Sequence, residues 1–185
     1  MKFKQFNFKK VNSTNDVAIR IIKNTNYKYG IITSEKQKKG RGRYGKKWIS
    51  YKGNLFVSIF FSLEKIKISL KKLTNVNCFL IKKLISSYYK KHVKIKPPND
   101  ILIDKKKICG ILQEILKKSN KTYMIVGIGI NLIKSPKIKN YPTTSLFEIT
   151  NNKFNKKHVI SRLKNIYENF LPQFSKLNLK DLKII

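Results

Sequence analysis

A short basic segment, residues 40–48 with the sequence Gly-Arg-Gly-Arg-Tyr-Gly-Lys-Lys-Trp, carries residue types suited to binding an anion. Three glycines within six residues let the backbone approach a ligand closely. Arg41 and Arg43 are two of only four arginines in the chain, and a guanidinium can bind phosphate or carboxylate through two parallel hydrogen bonds. The segment therefore predicts an anion-binding loop, and the alternative is a solvated, flexible basic loop.

Two further segments place polar residues where chemistry is possible. Residues 13–16, Ser-Thr-Asn-Asp, stand at the predicted start of a helix, where backbone N–H groups point outward. Ser13 would be the N-cap and Asp16 would serve the first turn, so plain capping is the alternative to ligand binding. Residues 96–100, Lys-Pro-Pro-Asn-Asp, form a rigid turn before a predicted hairpin. Asp100 could hold a nearby Lys or Arg side chain, such as Lys107 across the hairpin, or a Mg²⁺ through water. A plain hairpin with exposed lysines is the alternative.

A third segment, residues 127–131 with the sequence Gly-Ile-Gly-Ile-Asn, places small residues in an apolar strand. Such glycines indicate the close approach of a ligand or of another backbone. The segment does not complete a dinucleotide-binding fingerprint, and the basic segment lacks the spacing of a Walker A loop. The only histidines, His92 and His158, are expected at the surface, so a Ser-His-Asp triad is not credible. The only cysteines, Cys78 and Cys109, are expected as reduced core thiols.

The elements that must position these segments follow from the hydrophobic pattern. Predicted strands cover residues 3–8, 30–34, 54–63, 93–96, 101–103, 107–112 and 123–130, and predicted helices begin at Ser13 and cover residues 69–89, 145–149 and 156–171. Adjacent runs of strands with helices between some of them favour an α+β fold, a mixed and largely antiparallel sheet with helices packed on one face.

The net charge of +33 resembles that of a nucleic-acid-binding protein. The positive residues are, however, almost all lysines spread along the whole chain, and isoleucine and asparagine are abundant beside them. An AT-rich coding sequence produces that composition, so we expect weak, salt-sensitive binding to polyanions but no specific nucleic-acid partner. No apolar run is long enough for a transmembrane helix and no signal sequence is evident, so we expect a cytoplasmic protein without a membrane partner.

The order of these segments resembles the catalytic domain of biotin protein ligases over roughly residues 1–170. The matching parts are Ser13-Thr14-Asn15 after the first strand, Gln37 followed by residues 40–48, Lys96 to Asp100, Lys107 with Gly110-Ile111-Leu112, and residues 127–131. Each match is weak alone, but all of them in order and at the family's spacing make a specific signal. Pro97 departs from the pattern, because it replaces the family's tryptophan and removes an aromatic anchor beside the site.

The resemblance implies roles for individual residues. Biotin binding is implied for Ser13, Thr14, Asn15, Gln37, Gly40, Arg41, Gly42, Arg43, Lys107 and Gly110. Nucleotide binding is implied for Arg43, Lys46, Trp48, Asp100 and Asn131. Arg43 and Lys107 are the implied catalytic residues, and no protein-held metal site is implied, although ATP and Mg²⁺ are the expected co-substrate and activator.

The implied function is that of an ATP-dependent biotin protein ligase. It would form biotinyl-5′-AMP and transfer biotin to a lysine of the biotin carboxyl carrier protein of acetyl-CoA carboxylase, as a monomer or weak homodimer. We expect residues 1–172 to be the catalytic domain and residues 173–185 a short tail that replaces or remains from a C-terminal β-domain. We expect no N-terminal DNA-binding domain and hence no repressor function. A lipoate or octanoate ligase or transferase of the same fold, or a basic nucleic-acid-binding module, is the alternative.

Overall fold

The computed structural model describes residues 1–64, 66 and 69–173 of the 185-residue chain. Of the predicted C-terminal tail only Gln173 is included, in a short 3₁₀ turn (Leu171–Gln173), and residues 174–185 lie outside the described part. The first 172 residues contain the whole of the architecture set out below.

One mixed sheet forms the centre of the described structure. Its strands are β1 (Lys4–Val11), β2 (Tyr29–Gln37), β3 (Leu55–Ser62), β4 (Val93–Lys96), β5 (Asp100–Ile103), β6 (Lys106–Lys118) and β7 (Lys121–Ile130). Their spatial order is β1-β2-β3-β7-β6-β5-β4. β1 pairs with β2 in parallel, and every other neighbouring pair is antiparallel. The predicted α+β class with a largely antiparallel sheet is therefore confirmed.

Four α-helices accompany the sheet in the described residues: α1 (Thr14–Asn24), α2 (Leu70–Ser86), α3 (Leu146–Thr150) and α4 (Lys156–Phe170). Their bounds agree with the sequence pattern to within a few residues. Ser145 and Glu148 form a reciprocal capping box that fixes the start of α3. None of the described helices is long and apolar enough to cross a membrane.

The helices divide between the two faces of the sheet, and this corrects the expectation that they pack on one face. Consecutive strand residues point to opposite faces, so Ile31 joins the large core with α2 and α4, whereas Ile32 joins a smaller core with α1. In the same way Ile59 lies in the large core and Phe60 in the small one. Because β3 is covered on both faces, all eight of its residues are buried.

The hydrophobic pattern could not show this division. The apolar run of β3 has no alternation, which indicates burial on both faces but does not say which helix covers which face. The short α1 covers only part of its face, through Val17, Ala18 and Ile22. The helix does not cover the rest of that face, which is formed by the residues at the carboxyl ends of β2 and β7.

Two isoleucines in this sheet allow a matched test of the core. Ile59 on β3 has no exposed surface, whereas Ile115 on β6 is 41% exposed. Ile59→Ala is expected to reduce the free energy of unfolding by about 2–5 kcal/mol, because it removes buried methyl groups and leaves a cavity. Ile115→Ala should cost less than about 1 kcal/mol, the range of strand propensity. Urea unfolding of both variants measures the difference, and equal losses would contradict this packing.

Candidate active site

A cleft of about 520 Å³ lies beside α1, on the face of β6 and β7 that carries Gly110, Gly127 and Gly129. Thirteen of the predicted site residues line it: Ser13, Thr14, Asn15, Gln37, Arg41, Gly42, Arg43, Lys46, Trp48, Asp100, Lys107, Gly110 and Asn131. Gly40 is the exception, and it is buried against Trp48, Gln37 and Ser50. Residues 96–100, 107–110 and 127–131, which are distant in sequence, thus contribute to one site.

The floor of the cleft is a shelf made by glycines. Gly110 of β6 is paired directly with Gly129 of β7. The indole of Trp48 lies against both, since a Cβ atom at Gly129 would come within 2.4 Å of the ring and one at Gly110 within 2.6 Å. Any side chain at these positions would displace the indole. The sequence analysis expected a ligand or another backbone to approach this strand, but the groups that approach it are side chains, Trp48 at Gly110 and Gly129 and Asn15 at Gly127.

The basic loop, residues 40–48, returns on itself and is closed by its own backbone. Trp48 N donates to Gly40 O at 2.8 Å, and Gly42 N donates to Lys46 O at 2.6 Å. The tip is a tight turn in which Tyr44 and Gly45 adopt positive φ angles of 52° and 71°. A Cβ at Gly40 would lie 2.6 Å from Trp48 O, so glycine is required for the two ends of the loop to meet.

The two arginines of the loop have different roles, although the sequence assigned both to ligand binding. Arg41 forms two hydrogen bonds of 3.0 Å to the carboxylate of Glu114 and a third of 2.8 Å to Asp16. Both terminal nitrogens of Arg41 are thus occupied within the protein. Arg43 has no carboxylate partner among the described residues and only stacks on Tyr44, with its Nη2 donating to the phenol at 2.8 Å. Arg43 is therefore the loop arginine open to an anion.

The start of α1 is capped by a residue from another element, which corrects the expected capping by Ser13. Ser13 occupies the N-cap position, but its side chain makes no capping hydrogen bond. Gln37, at the end of β2, accepts from the backbone N–H of Thr14 at 2.8 Å and from its hydroxyl at 3.1 Å. Asp16 is the acidic residue of the first turn, as expected, and its carboxylate also pairs with Arg41. The Ser13 hydroxyl is left facing the cleft.

Ser58 is a supporting residue that the sequence analysis missed. It is fully buried on β3, and its hydroxyl donates to Thr14 Oγ1 at 2.8 Å and lies within hydrogen-bonding distance of Asn15 Oδ1. Asn15 also packs against Gly127, where a Cβ would come within 2.4 Å of its Oδ1. A single serine in the otherwise apolar segment Leu55–Phe61 was the available signal. Ser58 orients the polar side chains at the start of α1.

A β-bulge turns Lys107 toward the cleft. Ile101 of β5 pairs with Cys109 of β6, but its neighbour Leu102 pairs with Lys107, so Ile108 is the extra residue. Ile108 and Cys109 both join the large core. Without the extra residue, strict alternation would point Lys107 into that core. Lys107 Nζ instead lies 2.8 Å from Asp100 Oδ1 at the cleft, as the hairpin suggested.

Tyr141 completes the surroundings of this ion pair, and nothing in the sequence indicated it. Its hydroxyl donates to Asp100 Oδ2 at 2.6 Å, and Lys107 Nζ lies 5.5 Å from the centre of its ring. Burial raises the pKa of Tyr141, and the hydrogen bond to Asp100 raises it further, so the phenol stays a donor across the physiological range. Trp48 flanks Lys107 as well, with its ring centre 5.4 Å from Nζ.

Asn131 lines the cleft but is committed to internal bonds. Its Nδ2 donates to Thr144 O at 3.1 Å, and its Oδ1 accepts from Asn54 Nδ2 at 3.4 Å. Asn54, also missed in the sequence, accepts from the N–H groups of Ile133 and Lys134. These two buried asparagines fix the chain after β7, and so fix the wall that carries Tyr141.

The cysteines are buried and unpaired, as expected. Burial raises the pKa of the Cys78 thiol to about 11 and that of Cys109 well above its usual value. Both thiols stay protonated at neutral pH and face away from the cleft, so neither is a nucleophile for the site. His92 and His158 are exposed, also as expected.

A model of the biotin/lipoate A/B protein ligase family matches residues 7–131, which is more than half of the chain. The chain belongs to this family. Residues 7–131 span β1 to the start of the wall after β7, so the family match contains most of the cleft.

Relatives within the family agree with this assignment. The bifunctional ligase/repressor BirA of Escherichia coli is 33% identical over 101 residues, covering 54% of this chain and 32% of the relative. The BirA of Bacillus subtilis is 28% identical over 166 residues, covering 85% of this chain and 50% of the relative. The chain thus spans between a third and a half of the length of these relatives.

A solved member of the family shares the fold. The structure of biotin protein ligase from Aquifex aeolicus in complex with biotin and ATP is similar to that of this chain, with a TM-score of 0.81 and 29% sequence identity. The similarity covers 97% of this chain and 75% of that one. The resemblance inferred from the five sequence segments is thereby confirmed.

The glycine shelf can be tested through the only tryptophan of the chain. In Gly129→Ala the added methyl group would occupy the position of the indole of Trp48, so we expect the indole to move and its fluorescence emission to shift to longer wavelength. Gly127→Ala is the matched control on the same strand and face, because its methyl group would meet Asn15 and not Trp48. Unchanged emission in Gly129→Ala would contradict the position of the indole.

Proposed function

We propose that the protein is a biotin protein ligase. It activates biotin with ATP to biotinyl-5′-AMP and transfers the biotin to a lysine of the biotin carboxyl carrier protein of acetyl-CoA carboxylase. The observation that carries the proposal is the content of the cleft, where the indole of Trp48, seated on the glycine shelf, lies beside Lys107 and beside Arg43, which has no carboxylate partner among the described residues. Such a site suits a ligand that is apolar at one end and anionic at the other.

The apolar end suits the bicyclic head of biotin. A buried small-molecule site needs an apolar surface with a few polar anchors. The indole of Trp48, seated on the glycine shelf, provides the surface, while Ser13, Thr14 and Gln37 provide hydroxyl and amide groups. The Ser13 hydroxyl, which has no hydrogen-bond partner within the described part of the chain, is the anchor best placed to bind the ureido group.

The anionic end suits the chemistry of adenylate formation. The biotin carboxylate attacks the α-phosphorus of ATP, a new C–O–P linkage forms, and pyrophosphate leaves. An anion attacks an anion, so positive groups must neutralise the charge that builds up in the transition state. Lys107 is held at the cleft by Asp100, and Arg43 is open to the ligand. No enzyme nucleophile is needed, which agrees with the protonated, buried thiols.

The nucleotide would bring its own divalent cation. The described residues contain no group of three or more His, Cys, Asp or Glu side chains that could hold a metal. Asp100 is the one acidic side chain among the lining residues described, and it is engaged by Lys107 and Tyr141. Mg²⁺ is commonly bound through substrate phosphates with one or two carboxylates, and it would supply charge neutralisation on the phosphates.

The second half-reaction requires an acceptor from outside. The amine of the carrier lysine attacks the carbonyl carbon of the mixed anhydride, an amide forms, and AMP leaves. The anhydride reacts with water as well, so it must stay covered until the carrier arrives. The basic loop lies at the mouth of the cleft and is suited to that task.

Removal of either of these two cations of the cleft tests the first half-reaction. Lys107→Ala and Arg43→Ala are each expected to lower biotin-dependent exchange of pyrophosphate with ATP by about 10²- to 10³-fold, the scale for losing one charge-stabilising donor. Lys106→Ala is the matched control, since it is the neighbouring lysine on β6 and is exposed. Exchange at the wild-type rate in both cleft variants would exclude this function.

Ligand choice tests the substrate, because the family includes ligases for biotin and for lipoate. Biotin should raise the melting temperature, while lipoate at the same concentration should not. At about 100 times its dissociation constant, biotin would stabilise the protein by about 2.7 kcal/mol, and the melting temperature rises by roughly 2–4 °C per kcal/mol for a chain of this size. Stabilisation by lipoate alone would favour the lipoate alternative.

The nucleic-acid alternative predicts different behaviour. A specific binder would remain bound to DNA or RNA at moderate salt and would not respond to biotin. Binding that disappears at physiological ionic strength, together with a biotin-dependent rise in melting temperature, is the expected result for the ligase.

A further inference from the structure

Three charged side chains from three different elements meet at the base of the basic loop. Arg41 of the loop contacts Glu114 of β6 through two hydrogen bonds of 3.0 Å each, and Asp16 of α1 through one of 2.8 Å. Glu114 Oε2 also accepts from Asn15 Nδ2 at 2.6 Å. The loop, the sheet and the helix are thus joined by one cluster, which also holds a polar residue of the cleft.

The remaining bonds of the loop explain why this cluster matters. The backbone bonds between Gly40 and Trp48 and between Gly42 and Lys46 join the loop to itself and not to the sheet. Trp48 on the glycine shelf attaches one end of the loop. Arg41, near the other end, is the side chain that ties the loop to β6 and α1.

The geometry of Arg41 argues against direct ligand binding. Nη1 is taken by Glu114, and Nη2 is shared between Glu114 and Asp16. Although partial burial lowers the pKa of Arg41, the hydrogen bond and charge of Glu114 raise it, so the guanidinium is firmly charged. To reach a ligand, Arg41 would have to leave two carboxylates.

We propose that Asp16, Arg41 and Glu114 form an ion-pair strut that holds the basic loop over the cleft and retains the activated intermediate until the acceptor arrives. This inference rests on the proposed function. Arg41 and Glu114 are then positioning residues and not ligand contacts. The strut is only partly buried, with 40% of the Arg41 side chain exposed, so added salt weakens it.

The test measures how fast the bound adenylate escapes from the protein when no carrier protein is present. The full-length protein is mixed with biotin, ATP and Mg²⁺, and pyrophosphate release and free biotinyl-5′-AMP are measured. The wild type should release about one pyrophosphate per protein and then nearly stop, because the bound adenylate blocks the site. Glu114→Ala should show the same first burst followed by continuous release at least tenfold faster than the wild type, with biotinyl-5′-AMP accumulating in solution.

Further variants separate the strut from a general structural effect. Arg41→Lys keeps the charge but cannot bridge the same three carboxylate oxygens, so it should leak like Glu114→Ala. Glu114→Gln keeps the bond from Asn15 and should leak at an intermediate rate. Glu64→Ala, which removes a carboxylate from the ion pair with Lys28, should retain the adenylate like the wild type.

Salt gives a readout that a purely structural role would not change. Raising the ionic strength should speed leakage from the wild type toward the rate of Glu114→Ala, while that variant should respond little. If Glu114→Ala fails to fold, Arg41→Lys at the partly exposed end of the strut carries the same comparison.

Three outcomes would overturn the inference, and they are distinguishable. A wild-type burst with equal retention in Glu114→Ala and Arg41→Lys would exclude the strut but leave the ligase function intact. Loss of the burst itself in Arg41→Lys, with normal retention in Glu114→Ala, would show that Arg41 contacts the ligand. Absence of any biotin-dependent burst in the wild type would overturn the proposed function, and the role of the strut with it.

Discussion

The pairing of Gly110 with Gly129 across β6 and β7 is the constraint on which the site depends. A sheet covered on both faces normally fills the space above each strand with side chains. Here two paired residues contribute none, and the space is taken by the indole of Trp48 and by the cleft beside it. Since Trp48 is tied through its backbone to Gly40, the position of the indole also fixes where the basic loop closes. A larger residue at either glycine would therefore disturb the floor and the loop together.

The second constraint is a conflict between strand alternation and the need for a cation at the cleft. Gly110 faces the cleft, so Cys109 faces the core and Ile108 would face the cleft in a regular strand. The bulge sends Ile108 into the core as well and returns Lys107 to the cleft. The irregular backbone is supported from outside the sheet, because Lys107 N donates to Pro142 O at 2.8 Å and Thr144 N donates to Lys107 O at 2.9 Å. The segment that carries Tyr141 thus stabilises both the backbone and the ion pair of the same lysine.

Most of the elements and the grouping of the motifs could be predicted from the sequence, because hydrophobic periods and glycine positions are local signals. Thirteen of the proposed residues line one cleft for that reason. The separate roles of Arg41 and Arg43 could not be predicted, because the two have the same chemistry two residues apart. What distinguishes them is Glu114, which lies 73 positions away and meets only Arg41 in the folded chain. The contact of Tyr141 with Asp100 and the capping of α1 by Gln37 could not be predicted for the same reason, because in each case the partner is distant in sequence. The placement of α1 on the second face follows from the path of the connection between β1 and β2 and not from the amphipathic pattern of the helix.

Carboxylates, more than cations, decide the electrostatics of this cleft. The chain has 42 Lys and Arg residues but only nine Asp and Glu, so a positive side chain is available near almost any position. Each carboxylate therefore selects which cation is neutralised and held, and which stays open. Glu114 and Asp16 pair with Arg41, and Asp100 pairs with Lys107. Arg43 has no acidic partner in the described structure. Because a cation without an acidic partner attracts an anion more strongly than one already paired, the placement of three acidic residues gives the cleft its direction: Arg41 is neutralised at the base of the loop, and the positive charge of Arg43 stays available near its tip.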